Sequence, residues 1–270
     1  MRRLGVLGWP VAHSRSPAIH NAALAAMGLK DWHYQRLPVP PALFEETTRG
    51  LGAAGFHGAN VTIPHKTAAL AIATEASRTA TAIGAANTLT FGPEGEILAE
   101  NTDAPGLIAA LGFPPSGMSA QVLGAGGSAR AVVWALLDAG AGPVWVWNRT
   151  AERAVALADD LGASAAERPR KADLLVNCTS VGLSVERSAT EDHALNQQGL
   201  TGDQVGEYSH VADLAYRPGK TPLLAAAAAR GVGTTDGIEI LIAQGALSLE
   251  SWTKLVPPLE VMRAAAAEAP

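Results

Sequence analysis

Short apolar runs alternate along the chain with longer segments in which apolar residues recur every three or four positions. The first pattern is typical of β-strands and the second of amphipathic α-helices. Strands are predicted at Leu4–Leu7, Trp32–Leu37, Ala59–Ile63, Asn87–Phe91, Glu96–Glu100, Ala120–Leu123, Pro143–Trp147, Asp173–Asn177 and His210–Leu214. Helices are predicted at Ser16–Met27, Pro41–Gly50, His65–Ala76, Gly106–Leu111, Ala129–Ala139, Ala151–Leu161, Thr221–Arg230 and Ile238–Trp252. Strands separated by helices of this length favour parallel sheets in a doubly wound architecture.

The predicted fold class is α/β, with two α/β domains around a cleft. The turn cluster Gly92–Gly95 separates two strands and predicts an antiparallel hairpin, so the N-terminal domain is expected to have a mixed sheet. This domain is predicted to comprise residues 1–101, completed by C-terminal helices at 238–270. Residues 102–237 are predicted to form a Rossmann-type domain. The polar segment Ser184–Tyr208 is expected to be a long loop.

Composition excludes several classes of protein. The 270 residues carry 20 Lys and Arg against 25 Asp and Glu, a net charge of −5 without a basic stripe, so no nucleic-acid partner is expected. No apolar run approaches the ~20 residues that span a bilayer, and no signal-peptide pattern precedes the first strand, so a cytoplasmic location is expected. The lone Cys178 excludes an internal disulfide. No His, Cys or carboxylate spacing is typical of a metal site, and no metal is expected.

A glycine-rich turn joins the predicted strand Ala120–Leu123 to the next helix. Its pattern is G-x-G-x-x-A in the strand–turn–helix context of dinucleotide-binding proteins. The first glycine permits a tight turn, the second lets the backbone approach a pyrophosphate, and the helix N-terminus attracts the anion. The predicted cofactor-binding residues here are Gly124, Ala125, Gly126, Gly127 and Ser128.

The end of the following strand distinguishes between the two nicotinamide cofactors. NAD-binding domains usually have an acidic residue there, which binds the ribose 2′-hydroxyl. This chain has arginines instead, whose planar cationic groups suit a phosphate. The sequence therefore predicts NADP (NADPH), held by Asn148, Arg149, Thr150 and Arg153.

Several further segments, taken in chain order, resemble the motifs of shikimate dehydrogenases. The order and spacing of these motifs are kept from Gly8 to Trp252, nearly the whole chain. The matching segments are Gly8–Asn21, Asn60–Lys66, Gly84–Thr88, Asn101–Asp103, Asp213–Tyr216, Thr221–Leu224, and Asp236–Gly237 with Gln244.

The resemblance implies a role for each site residue. Lys66 and Asp103 are implied as the catalytic pair, and Ser14 and Ser16 as ligands of a substrate carboxylate. Ser16 is also expected to be a helix N-cap with Pro17 as the first helical residue, and Asp103 an N-cap of its own helix. The other implied substrate contacts are Thr62, Asn87, Tyr216 and Gln244, with Asn60 unassigned. Implied cofactor contacts are Thr179, Leu214 and Gly237.

The implied activity is the NADPH-dependent, reversible reduction of 3-dehydroshikimate to shikimate by hydride transfer. The implied partner is therefore a small cyclic acid, and the chain is expected to be a monomer or homodimer. Two alternatives remain open. One is a quinate/shikimate dehydrogenase with relaxed cofactor use, and the other is a non-catalytic regulator that binds the ligand without converting it.

Overall fold

The computed structural model describes residues 2–183 and 191–268. The chain divides into two compact units: unit 1 comprises Met1–Gly106 with Leu241–Pro270, and unit 2 comprises Leu107–Ile240. Each unit contains one six-stranded sheet with helices, which confirms the α/β class, the mixed sheet of the N-terminal unit and the parallel sheet of the other. The division falls within two helices, a few residues after the predicted boundaries.

The described residues contain twelve strands and twelve α-helices, together with a 3₁₀ turn at Pro41–Leu43. The strands are β1 Arg2–Gly8, β2 Trp32–Pro38, β3 Phe56–Val61, β4 Glu75–Ala76, β5 Thr88–Phe91, β6 Ile97–Glu100, β7 Ala120–Leu123, β8 Val144–Trp147, β9 Ser164–Ala165, β10 Leu174–Asn177, β11 His210–Asp213 and β12 Gly233–Thr235. The helices are α1 Ser16–Ala26, α2 Phe44–Gly50, α3 Lys66–Ala71, α4 Arg78–Ile83, α5 Asp103–Leu111, α6 Gly127–Asp138, α7 Ala151–Leu161, α8 Glu191–Gln197, α9 Gly202–Val205, α10 Pro222–Ala229, α11 Gly237–Thr253 and α12 Leu259–Glu268. None of the helices in the described part of the chain is both long and apolar enough to cross a membrane.

The sheet of unit 1 is mixed, with strand order β2-β1-β3-β5-β6-β4. Strand β1 is parallel to β2 and β3, whereas β5 is antiparallel to both β3 and β6. Strand β1 is buried from Leu4 to Gly8, whereas Tyr34 is the one buried residue of the edge strand β2. The strands β1, β3 and β6 therefore all end at one edge of the sheet, and β5 begins there.

The sheet of unit 2 is entirely parallel, with strand order β12-β11-β10-β7-β8-β9. This is the Rossmann order, in which the chain reverses its direction of progress next to the first strand, β7. The central strands β7 and β10 are fully buried, and the short edge strand β9 is exposed. All strands end at the same edge, where ligands of such sheets bind.

The predicted ends of β3 and α3 were wrong. Strand β3 ends at Val61, two residues earlier than predicted, although the Ile63 carbonyl still accepts the Trp9 N–H at 3.0 Å. Helix α3 ends at Ala71 because Thr74 instead pairs with Ile97, its N–H lying 2.9 Å from the Ile97 carbonyl oxygen, and leads into β4.

The segment predicted as a long loop contains two helices, α8 and α9. Helix α9 begins with a reciprocal capping box between Thr201 and Gln204, which satisfies backbone N–H groups at the first turn. The first part of the predicted loop, residues 184–190, lies outside the described residues. The loop prediction was therefore wrong for 191–197 and 202–205.

The close approach of α11 to the sheet of unit 1 generates a prediction about stability. The Trp252 indole N–H donates a hydrogen bond of 3.1 Å to the carbonyl of Leu89, directly over Gly58. A β-carbon at Gly58 would overlap the indole and lie 2.8 Å from the same carbonyl oxygen. We expect Gly58→Ala to lower the free energy of unfolding by about 1–3 kcal/mol through overpacking.

Urea denaturation followed by Trp fluorescence measures this effect. The matched control is Gly50→Ala, at the exposed end of α2, where a β-carbon would meet no atom within 4 Å. Alanine at that position is expected to be neutral or stabilising by about 0.5–1 kcal/mol. Equal unfolding midpoints for the two variants would contradict the proposed packing constraint.

Candidate active site

The polar residues predicted in unit 1 gather where the strands of its sheet end. Lys66 follows β3, Asp103 follows β6, and Asn87 directly precedes the antiparallel strand β5. The register pairs Asn60 with Thr88 and Thr88 with Glu100, so these three strand ends lie side by side. The mixed sheet therefore brings together Lys66 and Asp103, which are 37 positions apart in the sequence.

Lys66 and Asp103 form an ion pair. The Lys66 Nζ lies 2.5 Å from Asp103 Oδ2, and the two side chains are only 10% and 13% exposed. Lys66 is the first residue of α3, where its charge opposes the helix dipole, whereas Asp103 is in the first turn of α5, where a negative charge is favoured. The predicted N-cap role of Asp103 was wrong, since the Asn101 side chain accepts the hydrogen bond of Ala104 N–H at 3.3 Å. The Asp103 carboxylate is thus directed to Lys66 instead.

Asn87 orients the second oxygen of the Asp103 carboxylate. Its amide nitrogen lies 2.9 Å from Asp103 Oδ1, 3.0 Å from Thr102 Oγ1 and 3.1 Å from Gln244 Oε1. The amide oxygen accepts the backbone N–H of Thr102 at 2.7 Å and the Thr88 hydroxyl at 3.1 Å. Because the amide has two hydrogens for three acceptors, one acceptor can exchange for another group without leaving Asn87 unpaired.

A second layer fixes Asn87 from inside the protein. The Tyr34 hydroxyl donates to Asn60 Oδ1 at 2.8 Å. The Asn60 side-chain amide donates to the backbone carbonyl of Asn87 and to Thr88 Oγ1, both at 3.2 Å. Tyr34 is 1% exposed and Asn60 is 5% exposed. Asn60, unassigned by sequence, therefore supports the site from the core. Tyr34 was missed, because an isolated tyrosine in a strand gives no sequence signal.

Ser14 and Ser16 lie together at the start of α1. Ser14 Oγ accepts the backbone N–H of Ser16 at 3.3 Å, and both residues are buried. The predicted capping was wrong by one residue, since Arg15 is the N-cap, Ser16 the first helical residue and Pro17 the second. Both hydroxyls nevertheless belong to a helix N-terminus, which favours an anion.

Arg36 of β2 is a further residue that sequence reasoning missed. Its Nε and Nη2 donate to the Ser14 carbonyl at 3.1 and 2.7 Å, which holds the turn before α1. The remaining predicted substrate residues of unit 1 are Thr62, half-buried after β3, and Gln244, in α11. Tyr216 follows β11 and belongs to unit 2.

The glycine-rich turn of unit 2 has the conformation that its sequence requires. Gly124 follows β7 with φ +109°, a backbone conformation that residues with a side chain rarely adopt, and its N–H donates to the Trp147 carbonyl at 2.7 Å. Helix α6 begins directly afterwards, with Gly126 as N-cap. A β-carbon at Gly126 would meet no atom within 4 Å, so space lies in front of this helix N-terminus.

The predicted phosphate-binding residues lie at the end of the neighbouring strand, β8. Arg149 and Thr150 follow it and are exposed, as is Arg153 in the first turn of α7. The Asn148 amide donates to the Thr150 carbonyl at 2.9 Å and so closes the turn. Neither arginine forms an ion pair among the residues that the structure describes, so both charges remain available to an anion.

The loops after β10 and β11 carry the other predicted cofactor contacts, Thr179 and Leu214. The Thr179 hydroxyl and N–H donate to Asn177 Oδ1 at 2.7 and 3.0 Å. Asp213, the last residue of β11, is completely buried. Burial raises the pKa of its carboxyl to about 7, although hydrogen bonds from Thr221 and Asn177 oppose this shift.

Comparison with known proteins adds independent findings. Three family models match the chain: the shikimate dehydrogenase substrate binding domain over residues 6–89, the shikimate / quinate 5-dehydrogenase over residues 111–197, and the shikimate 5'-dehydrogenase C-terminal domain over residues 237–267. A shikimate dehydrogenase (NADP(+)) of Methylobacterium radiotolerans is 46% identical over 265 residues, which cover 93% of this chain and 90% of that protein. One of Thermus thermophilus is 44% identical over 278 residues, which cover 100% and 99%.

The fold has a counterpart among solved structures. The crystal structure of a shikimate 5-dehydrogenase from Thermus thermophilus, in complex with NADP(H) and shikimate, matches with a TM-score of 0.88 at 42% identity. The match covers 100% of both chains. Both the sequence motifs and the chain topology are therefore shared with one family of enzymes.

The buried His20, whose ring binds the Ser16 carbonyl, generates a prediction about how stability depends on pH. The His20 ring donates from Nδ1 to the Ser16 carbonyl at 2.8 Å and stacks on Tyr34, and burial lowers its pKa from 6.5 to about 4. Because the folded state favours the neutral ring, His20 contributes to the free energy of unfolding. This contribution is complete above pH 6.5 and is lost as the pH falls toward 4. The shift corresponds to about 3 kcal/mol.

We expect the free energy of unfolding of the unaltered chain to decrease between pH 7.5 and pH 4.5, and His20→Gln to remove part of that decrease. Denaturant titrations of both proteins at the two pH values measure the difference. The comparison at pH 7.5 alone gives the cost of the substitution itself. An identical pH dependence in the two proteins would contradict the assignment.

Proposed function

The chain belongs to the shikimate dehydrogenase family, and we propose that it catalyses the reversible reduction of 3-dehydroshikimate to shikimate with NADPH. The observation that carries this proposal is the buried Lys66–Asp103 pair, with Asn87 on the second carboxylate oxygen. A ketone reduction requires a proton donor at the carbonyl oxygen, and a positioned ammonium group meets that requirement. NADPH, when bound, supplies the hydride that completes the alcohol.

Lys66 is the proton donor in this mechanism. In the direction of reduction, its ammonium group stabilises the negative charge that develops on the carbonyl oxygen and transfers a proton from Nζ to that oxygen. In the direction of oxidation, the neutral amine accepts the same proton. Asp103 holds the amine in place through Oδ2 and accepts hydrogen bonds from the ring hydroxyl groups, while the Asn87 amide nitrogen donates to them.

The carboxylate of the substrate is bound by a separate part of unit 1. We assign this role to the Ser14 and Ser16 hydroxyl groups, because both lie at the N-terminus of α1, where an anion is favoured. Thr62, Tyr216 and Gln244 are assigned to the remaining hydroxyl groups. Anchoring the acid at one end orients the carbonyl carbon at the other, which raises the effective concentration of reacting groups.

The residues of unit 2 fit NADP. The turn at Gly124–Ser128 offers the N-terminus of α6 and the open space at Gly126 to a pyrophosphate, and Arg149 and Arg153 offer exposed charges to a 2′-phosphate. Thr179, Leu214 and Gly237 are assigned to the nicotinamide side. Unit 2 is accordingly proposed as the NADP-binding domain and unit 1 as the substrate-binding and catalytic domain.

Two wider properties are also part of the proposal. We propose that the enzyme acts in the cytoplasm, where its cofactor NADPH is available. We expect a monomer or homodimer, which light scattering on the purified chain distinguishes.

Replacing the proton donor tests the mechanism. We expect Lys66→Ala to lower kcat by about 10²–10⁴-fold, the usual contribution of a general acid, while the far-ultraviolet circular dichroism spectrum is retained. The measurement is NADP reduction at about 340 nm, the absorption band of the reduced nicotinamide, with shikimate as substrate. The matched control is Lys30→Ala, an exposed lysine of the same unit, which is expected to keep normal turnover. Near-normal turnover in Lys66→Ala would remove this residue from the mechanism.

Cofactor choice tests the role of the arginine after β8. We expect Arg149→Ala to weaken NADP binding by about 10–100-fold, the range of a hydrogen bond to a charged group, and to leave NAD binding unchanged. Initial rates with both cofactors, each on the unaltered chain and the variant, measure the effect. A parallel loss with NAD would show that Arg149 acts on the general structure of the turn.

The same assay separates the main alternatives. The family model over residues 111–197 includes quinate dehydrogenases, so shikimate and quinate should be compared with each cofactor. Faster turnover of quinate with NAD would favour the broader enzyme. Ligand binding without any oxidation of NADPH would favour a non-catalytic regulator.

A further inference from the structure

One buried carboxylate joins the two loops that follow β10 and β11 in unit 2. Asp213 Oδ1 accepts the Asn177 side-chain amide at 2.7 Å and the Ala215 backbone N–H at 3.0 Å, and Oδ2 accepts the Thr221 hydroxyl at 2.6 Å. Asp213 and Asn177 are both 0% exposed. Burying a carboxylate is costly unless hydrogen-bond donors surround it. The three donors here lie at the end of β10, just after β11 and just before α10.

The first of these loops is fixed through Asn177. Its amide nitrogen donates to Asp213, and its amide oxygen accepts hydrogen bonds from the Thr179 N–H and hydroxyl. The Thr179 Oγ1 in turn accepts the Val181 N–H at 3.2 Å. A chain of hydrogen bonds therefore leads from Asp213 to Val181. The glycine-rich turn lies against this loop, since a β-carbon at Gly124 would lie 3.2 Å from the Cys178 carbonyl carbon.

The second loop is closed at both ends by the same carboxylate. Ala215 lies just after β11 and Thr221 just before α10, so Asp213 holds the two ends of the segment that carries Leu214 and Tyr216. Thr221 also caps α10 by accepting the Leu224 N–H at 3.3 Å. A β-carbon at Gly237 would lie 2.5 to 2.8 Å from the carbonyl oxygens of residues 213–215, so this backbone also packs closely on the start of α11.

We propose that Asp213 is a positioning residue that fixes the loops 178–183 and 214–221 relative to each other through Asn177, Ala215 and Thr221. The inference rests on the proposed function, because these loops carry the residues assigned to the nicotinamide side and to the substrate. Asp213 acts through its neighbours and does not touch the reacting atoms. Its loss should therefore impair hydride transfer more than cofactor binding, whose phosphate contacts lie after β7 and β8.

Asp213→Ala tests the proposal by two kinds of measurement. In the ligand-free protein, amide hydrogen exchange in 178–183 and 214–221 is expected to accelerate. The reason is that these loops can then open without breaking the hydrogen bonds to Asp213. In the assay, kcat is expected to fall by up to about 10²-fold, the effect of a misplacement of about 1 Å. The NADPH dissociation constant, measured by fluorescence, is expected to change by less than about threefold, because the phosphate contacts are kept.

Asp173→Ala is the matched control. Asp173 accepts the Ser119 N–H and hydroxyl at 2.8 and 2.7 Å, so it also ties two chain segments together, but it does so just before β10, at the opposite edge of the same sheet. We expect this variant to keep its turnover and the exchange rates of both loops. An equal loss of turnover in the two variants would overturn the proposal in favour of a general effect on stability.

The conservative variant Asp213→Asn provides a rescue test. Its amide oxygen can still accept from Asn177 and Ala215, and its amide nitrogen can donate to Thr221, so the loops should remain tied. We expect turnover at least about tenfold above that of Asp213→Ala, which corresponds to about 1.4 kcal/mol. Turnover as low as in the alanine variant would contradict the positioning role.

Two further outcomes are decisive. Should Asp213→Ala fail to fold, Asn177→Ala breaks the link to the first loop while Asp213 keeps its other two donors, and normal turnover and exchange in that variant would overturn the proposal. Should the unaltered chain fail to oxidise shikimate with NADP, the proposed function fails, but the exchange measurement still tests whether Asp213 fixes the loops.

Discussion

The ion pair between Lys66 and Asp103 is the interaction on which the site in unit 1 depends. Two charges that are largely removed from water are stable only when their geometry is good and their remaining hydrogen-bonding groups are satisfied. Asp103 meets this condition because Lys66 occupies one oxygen and Asn87 the other. The pair is therefore held in one arrangement, with the ammonium group directed by the protein and not by solvent.

The rigidity of that arrangement comes from the layer behind it. Asn87 is bound on its oxygen by Thr102 and Thr88, and Thr88 is bound by Asn60, which Tyr34 orients from the core. Each of these polar groups is buried, and each has a partner, so the network favours a single conformation. The proton transfer proposed for Lys66 requires such support, because the amine must be held within hydrogen-bonding distance of the reacting oxygen.

The two units apply the same structural rule to different chemistry. In each, the candidate site residues lie beyond the ends of parallel strands, where loops can vary without disturbing the sheet. Unit 1 adds an antiparallel hairpin, which inserts Asn87 between the ends of β3 and β6. Unit 2 keeps a purely parallel sheet, and Asp213 joins the loops of adjacent strands through side-chain hydrogen bonds. In both cases a single buried polar residue links segments that are distant in sequence.

The sequence by itself determined the alternation of strands and helices, the hairpin, the glycine-rich turn and the candidate residues, because periodicity, turn residues and motif spacing are local properties. It misplaced the ends of β3 and α3 and missed the helices after residue 190, since pairing with β6 ends α3 and a capping box begins α9. The roles of Tyr34, Asn60, Arg36 and Asp213 came only from the tertiary structure. Their partners are brought to them by strand register and loop packing, and a hydrogen bond between distant segments leaves no pattern in the local sequence.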